Sequence, residues 1–242
     1  MTEFNGSEWI DSAHVQEFIE NSDNYILERK RQFKILRSFY QYFLKNKIKN
    51  RTTRILDLGC GDGRITQEIL KLNSNAEVFL VDGSLKMLET AKSNFKEVNA
   101  LHYIHKTFQD LLDSDTLTHG FDFIVSSLAI HHLSSDERES LFAYIYNHLR
   151  DGGYFLNMEV VLPRSKILEE WYLMLWKEWI QENEIKLCLE ESFGYLPIQY
   201  KNNPDNHPDT LEKQLDALKT IGFKNIDCHY KYGIFTIYSG EK

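Results

Sequence analysis

Three short stretches of this 242-residue sequence carry residue types that could do chemistry. The first runs Arg54-Ile-Leu-Asp-Leu-Gly-Cys-Gly-Asp-Gly-Arg-Ile-Thr66: an apolar run meets Gly59, Gly61 and Gly63, and a helical pattern begins at once. Glycines there permit positive φ and let a ligand approach the backbone closely. A helix N-terminus adds free N–H groups and a positive dipole end, suited to a carboxylate or phosphate. The second stretch ends Val78-Phe-Leu-Val-Asp82-Gly83, with Asp82 lying 23 residues beyond Gly59. A carboxylate at a strand tip can accept both hydroxyls of a ribose through charge-assisted bonds. The third, Asp122 to Leu133, ends in Ile130-His131-His132-Leu133. An imidazole titrates near neutral pH, so His131 and His132 are the candidates for a general base.

Several functions are disfavoured by the same residues. A dinucleotide loop wants G-x-G-x-x-G, but Arg64 stands where the third glycine belongs, and no Gly-Lys-Ser/Thr follows as in a phosphate-binding P-loop. Adjacent histidines diverge on a strand or turn, and no third ligand accompanies them, so no metal is expected.

Elements must place these groups together. From residue 53, short apolar runs alternate with helical stretches. The runs are Thr53–Leu58, Glu77–Val81, Leu101–Ile104, Phe121–Ser126 and Tyr154–Val160. The intervening patterns predict helices over Arg64–Leu72, Ser84–Lys96, Phe108–Asp113 and Ser135–Leu149. That alternation implies a parallel sheet covered on both faces, with right-handed crossovers: a doubly wound α/β domain. Residues 8–48 read as two helices, the second with an apolar stripe from Tyr25 to Phe43. After the fifth strand, 164–192 form an aromatic-rich helical insertion, followed by a loop with Pro197, Pro204 and Pro208. A helix over 209–220 ends at Gly222, and the strands Lys224–Lys231 and Ile234–Tyr238 must form an antiparallel hairpin. The expected organisation is an N-terminal helical cap (1–52), a core (53–163 and 207–242) and a lid (164–206).

Composition narrows the class further. At 42% hydrophobic and 26% charged residues, the chain is ordinary for a globular protein, and no apolar run is long enough for a membrane span. The start, MTEFNGSEWIDS, has no signal-peptide pattern, and Cys60, Cys188 and Cys228 form no CxxC pair, so a cytoplasmic location without disulfides is expected. A net charge of −8 argues against bulk nucleic acid as a partner.

Asp57-Leu58-Gly59-Cys60-Gly61-Asp62-Gly63 resembles the glycine motif of the class I, seven-strand S-adenosylmethionine-dependent methyltransferases. The resemblance covers 53–160 strongly and 207–240 moderately, and it implies a mostly parallel seven-stranded sheet closed by the antiparallel hairpin. It implies S-adenosyl-L-methionine as cofactor and S-adenosyl-L-homocysteine as product. Gly59, Cys60 and Gly61 would pass beside the methionine part, with Asp57 holding its amino group directly or through water. Asp82 would bind the ribose, with Gly83 and Met87 near adenine. Thr107, Phe108 and Gln109 fall where the family reads the adenine edge, although a Thr at that point departs from the usual Asp. Ser126 and Ser127 fall where the fourth strand meets the methionine end, and the His131-His132 loop would face the transferred methyl. Acceptor selection should lie outside the sheet, in the N-terminal helices (Trp9, Phe18, Tyr25, Arg29) and the aromatic insertion (Trp171, Tyr172, Trp176, Trp179), where Trp171 is the first choice of pocket residue. A small-molecule acceptor is favoured, and a homodimer is left open. The alternatives are a carboxy-S-adenosylmethionine-forming or tRNA-modification enzyme of the same fold, or a non-catalytic cofactor-binding module. Residues 165–200 contain no arginine with which to bind an added carboxylate, which disfavours the first.

Overall fold

The computed structural model describes residues 7–96, 98, 100–114 and 117–242. Seven strands form one sheet in the order β3-β2-β1-β4-β5-β7-β6. Here β1 is Arg54–Leu58, β2 Glu77–Asp82, β3 Leu101–His105, β4 Phe121–Ser127, β5 Leu149–Val160, β6 Lys224–Tyr232 and β7 Phe235–Glu241. Strands β1 to β5 pair in parallel, whereas β7 runs antiparallel to both β5 and β6.

Successive residues of a strand point to opposite faces, and each face has its own apolar core. Ile55, Val78, Phe123 and Val125 pack on one side beneath α2 (Arg29–Tyr40), α3 (Arg64–Leu70) and α4 (Leu85–Asn94). Leu56, Val81, Phe121 and Ile124 pack on the other, beneath α5 (Phe108–Asp113), α6 (Ser135–His148) and α9 (Leu211–Ile221). Thus α2 is part of the sheet's covering layer, buried through Phe33, Leu36, Phe39 and Tyr40.

A third apolar cluster joins what remains. Helix α1 (Ser12–Tyr25) is followed by Ile26 and Leu27, which pack with Trp176 and Ile180 of α7 (Lys166–Leu187), Phe193 and Phe235. The chain from 196 to 202 is a short helix, α8 (Leu196–Asn202), where the sequence pattern predicts a loop. Pro197 stands in its first turn, where a missing N–H costs no hydrogen bond and φ is already set for a helix.

The chain crosses from one half of the sheet to the other between β1 and β4. Ligands of open α/β sheets bind at the carboxyl ends of the strands at such a switch point. Among the described residues no helix is long and apolar enough to cross a membrane.

Candidate active site

A cavity of about 590 Å³ opens at this switch point, walled by the glycine loop, the ends of β2, β3 and β4, and the segment before α1. The loop after β1 is tied down by backbone bonds: Gly59 and Cys60 donate to the Val81 carbonyl at 2.9 and 3.0 Å. Gly59 has φ +66°, and a Cβ there would sit 2.3 Å from the Ala129 side chain. The bare Gly59 therefore lets the loops after β1 and β4 touch. Gly61, at φ +55°, instead faces open space toward Met87.

Asp82 is braced at the tip of β2. Its Oδ2 accepts the Gly61 N–H at 2.8 Å and its Oδ1 the Ser84 N–H at 2.7 Å, so each oxygen keeps acceptor capacity. Burial raises the Asp82 carboxyl above its ordinary range against the pull of these two bonds. Asp57 is buried beneath the loop and does not line the cavity. Its Oδ2 accepts the Thr66 hydroxyl at 2.7 Å, Oδ1 has no partner, and burial lifts the carboxyl to about 7.

Gly83, Met87, Thr107, Phe108, Gln109 and Ser127 all line the large cavity. The Thr107 hydroxyl already serves as the N-cap of α5, accepting the Asp110 N–H at 3.0 Å in a reciprocal capping box. The Gln109 amide donates to Glu137 at 2.9 Å. Ser126 is set back, donating its hydroxyl to the Leu58 carbonyl at 2.8 Å.

Arg29 lines this same cavity beside the glycine loop. It donates to the Ser22 hydroxyl and to Asp23, whose second oxygen takes Arg64 at 3.1 Å. Two guanidinium groups thus share one carboxylate at the cavity rim. Burial lowers the Arg29 pKa, and Asp23 opposes that. In the sequence Arg64 marks only the break in the dinucleotide pattern.

A smaller cavity of about 130 Å³ adjoins the first, sharing Trp9, Phe18, Leu128 and His132 with it. Its wall is a belt of rings. Phe18 meets Trp9 and Tyr25 at 5.0 and 6.3 Å between centroids, and Trp9 meets His132 at 6.1 Å. His132 lies against His131, which meets Tyr200, which meets Trp176, which holds the edge of Phe235. The Trp176 indole N–H donates to the Tyr25 carbonyl at 2.7 Å and closes the circuit. Most of these contacts are edge to face, a favourable geometry for ring quadrupoles. Trp171 lies outside: it is half-exposed, packs on Tyr172 and lines neither cavity, so Trp176 holds the place expected of it.

The two histidines differ sharply. His132 Nε2 accepts the Trp9 indole N–H at 3.1 Å, which requires its proton on Nδ1, facing the Asp205 carbonyl at 3.2 Å. Burial and the neighbouring His131 push its pKa down to about 3, so it is neutral at pH 7 with both nitrogens occupied. His131 pairs through Nδ1 with Glu159 at 2.7 Å, and its backbone N–H donates to the other Glu159 oxygen at 3.0 Å. That carboxylate fixes the ring, leaving Nε2 as its basic nitrogen. Glu159 was not among the expected residues; its signal was a lone acid in the apolar run Leu156 to Val161.

Comparisons with known proteins agree with this fold. Residues 55–153 match the family described as a methyltransferase domain. Carboxy-S-adenosyl-L-methionine synthase of Nautilia profundicola is 24% identical over 204 residues, covering 82% of this chain and 81% of that protein. The solved structure of PigF with S-adenosylhomocysteine superposes with a TM-score of 0.65 at 15% identity, over 97% of this chain and 61% of that one. The CurJ carbon methyltransferase gives a TM-score of 0.62 at 18% identity, over 86% of this chain and 53% of that one. The chain thus spans between half and two thirds of the length of these two solved relatives.

Proposed function

We propose, from the premise that this chain is a class I S-adenosylmethionine-dependent methyltransferase, that it methylates a compact acceptor held in the aromatic cavity, with His131 as the base. The observation that carries the reading is the His131–Glu159 pair, set in the wall of a cavity that adjoins the cofactor's. When bound, the cofactor supplies an electrophilic methyl group on a sulfonium sulfur.

The residues present fit that cofactor. Gly61 leaves open space at the loop, and Asp82 keeps acceptor capacity for ribose hydroxyls. Arg29 and Arg64, which line the cavity, suit the carboxylate of the amino-acid end, and the unpartnered Asp57 Oδ1, buried beneath the loop, suits its ammonium through water. Arg29 is thereby assigned to the cofactor rather than to the acceptor, while Tyr25 remains on the acceptor side.

In the acceptor cavity the enzyme's work is mainly positioning, because holding nucleophile and methyl carbon in line removes most of the entropic barrier. His131 Nε2 takes the acceptor's proton, Glu159 keeps the ring in the right tautomer and steadies its positive charge, and His132 anchors Trp9. Replacing His131 by Gln tests this. Turnover should fall while S-adenosylhomocysteine still binds, and unchanged turnover would sink the role.

A second reading, formation of carboxy-S-adenosylmethionine, is favoured by the relatives that carry that name over four fifths of the chain. It needs a cation at the methyl end for the added carboxylate. Residues 165–200 supply no arginine, and neither Lys nor Arg lines the smaller cavity among the described residues. Mass spectrometry of the nucleoside released from purified protein separates the two: a carboxylated nucleoside would overturn the methyl-transfer reading.

A further inference from the structure

We infer that the methyl acceptor is a small amine that enters the aromatic cavity as a cation; this deepens the methyl-transfer reading above and rests on it. The first ground is the wall itself. The belt lines the cavity with aromatic rings, and a ring face attracts a cation through its quadrupole. The indole N–H groups of Trp9 and Trp176 are already committed to His132 and the Tyr25 carbonyl. These two residues therefore offer π surface rather than donors.

Charge is the second ground. Among the described residues the smaller cavity is lined by no lysine or arginine, and Glu8 contributes a carboxylate to its wall. Asn203 holds Glu8 in place at 3.0 Å, and Glu159 lies behind His131. An anionic acceptor would lose its hydration here and meet two carboxylates and no counter-charge. An ammonium group meets ring faces and Glu8.

Hydrogen bonding is the third. Tyr200 Oη and His14 Nε2 are buried without a hydrogen-bond partner, His14 Nε2 standing 3.8 Å from Glu8 Oε1, and both residues line this cavity. A hydroxyl oxygen and a ring nitrogen can each accept a bond, and buried polar atoms in native proteins nearly always find a partner. An ammonium brings donors only, which matches them. The chemistry closes on the same groups. The ammonium nitrogen gives one proton to His131 and uses the freed lone pair to form a C–N bond to the methyl carbon. The C–S pair stays on sulfur, and the methylated ammonium carries the charge the sulfonium lost. No further reactant is needed.

Three probes of one skeleton and different charge test this on the full chain saturated with S-adenosylhomocysteine: benzylamine, benzyl alcohol and benzoate, followed by calorimetry. Benzylamine should bind at least about tenfold more tightly than benzyl alcohol, with benzoate not binding at all. In Glu8→Gln the benzylamine affinity should fall about threefold or more while benzyl alcohol stays within about twofold. Equal affinity for the alcohol, binding of benzoate, or no binding of benzylamine to protein that holds S-adenosylhomocysteine normally would overturn the amine assignment and leave methyl transfer standing. Failure to bind S-adenosylhomocysteine would overturn both.

Discussion

The two cavities meet along Trp9, Phe18, Leu128 and His132 yet are built by opposite means. The larger is framed mainly by backbone, with glycine turns, strand tips and carboxylates clamped by N–H groups between Gly59 and Glu137, and Trp9, Phe18, Arg29, Asp205 and His207 add to its wall. The smaller is framed by side chains, rings drawn from the segment before α1, from α1, α7, α8 and β7, and from the loop after β4. Backbone framing fixes the position of a cofactor whose shape does not change. Side-chain framing can be rebuilt one ring at a time, so the acceptor can differ between proteins that share the cofactor site. The two histidines differ across this border: His132 lines both cavities, neutral and locked to Trp9, whereas His131 lines the smaller one, is paired with a carboxylate and is the base we propose.

The largest expected effect falls on the acceptor side. His131→Gln should lower kcat by about 10²- to 10⁴-fold, the usual worth of a general base, with S-adenosylhomocysteine affinity unchanged. Glu159→Gln should cost less and displace the alkaline-rising limb of the kcat profile, since it changes how the base is held rather than removing it. Equal losses from His131→Gln and His132→Gln in stopped-flow single turnovers would erase the division of labour.

On the cofactor side, Asp82→Ala should weaken S-adenosylhomocysteine binding about 10- to 100-fold, because charge-assisted hydrogen bonds contribute about 1.5–3 kcal/mol each. Calorimetry reads this directly, and an unaltered affinity would detach Asp82 from the ribose.

Smaller effects come from two buried groups that respond to pH with opposite sign. His132 holds a folded pKa of about 3 against an ordinary 6.5, so between these values the unfolded chain binds the extra proton. Stability from this group is complete above about 6.5 and drains as pH falls toward 3, at no more than about 1.4 kcal/mol per pH unit. Asp57 is raised from 3.8 to about 7, so the folded chain binds the extra proton and its contribution weakens as pH rises through that window. Urea-unfolding midpoints followed from pH 4 to pH 7 should therefore rise more steeply with pH in Asp57→Asn and flatten or reverse in His132→Gln. The same slope in wild type and both variants would dismiss the assignment. The smallest expected effect is that of Trp171→Ser, which should leave kcat and KM within about twofold, as befits an exposed residue outside both cavities.

The contrast also governs what could be read from the sequence. The cofactor wall was legible because its residues are local: the loop from Gly59 to Gly63 follows one strand, and Asp82 ends the next. The sheet, its order of elements and the closing hairpin followed from the alternation of short apolar runs with helices. The acceptor wall was mostly illegible, because nothing in the sequence says that Trp9, Tyr200 and Phe235 meet. Helical spacing placed Trp176 on a face with Tyr172 and Trp179, yet the preference for Trp171 chose the side that the packing of α7 against Ile26 and Phe193 leaves exposed. Two signals were present and unused. Thr107-Phe-Gln-Asp110 has capping-box spacing, which explains where the Thr107 hydroxyl goes. Glu159, an acid buried in a central strand, had to have a partner.

Trp9 ties the two cavities together in time. Its carbonyl accepts the Ser84 hydroxyl at 2.7 Å beside the cofactor wall, its indole N–H donates to His132, and its ring lines part of both cavities. Because one ring lines both cavities, any movement of Trp9 changes access to both sites together. A variant that removes the ring, such as Trp9→Leu, trades residence time for exchange rate in both sites at once.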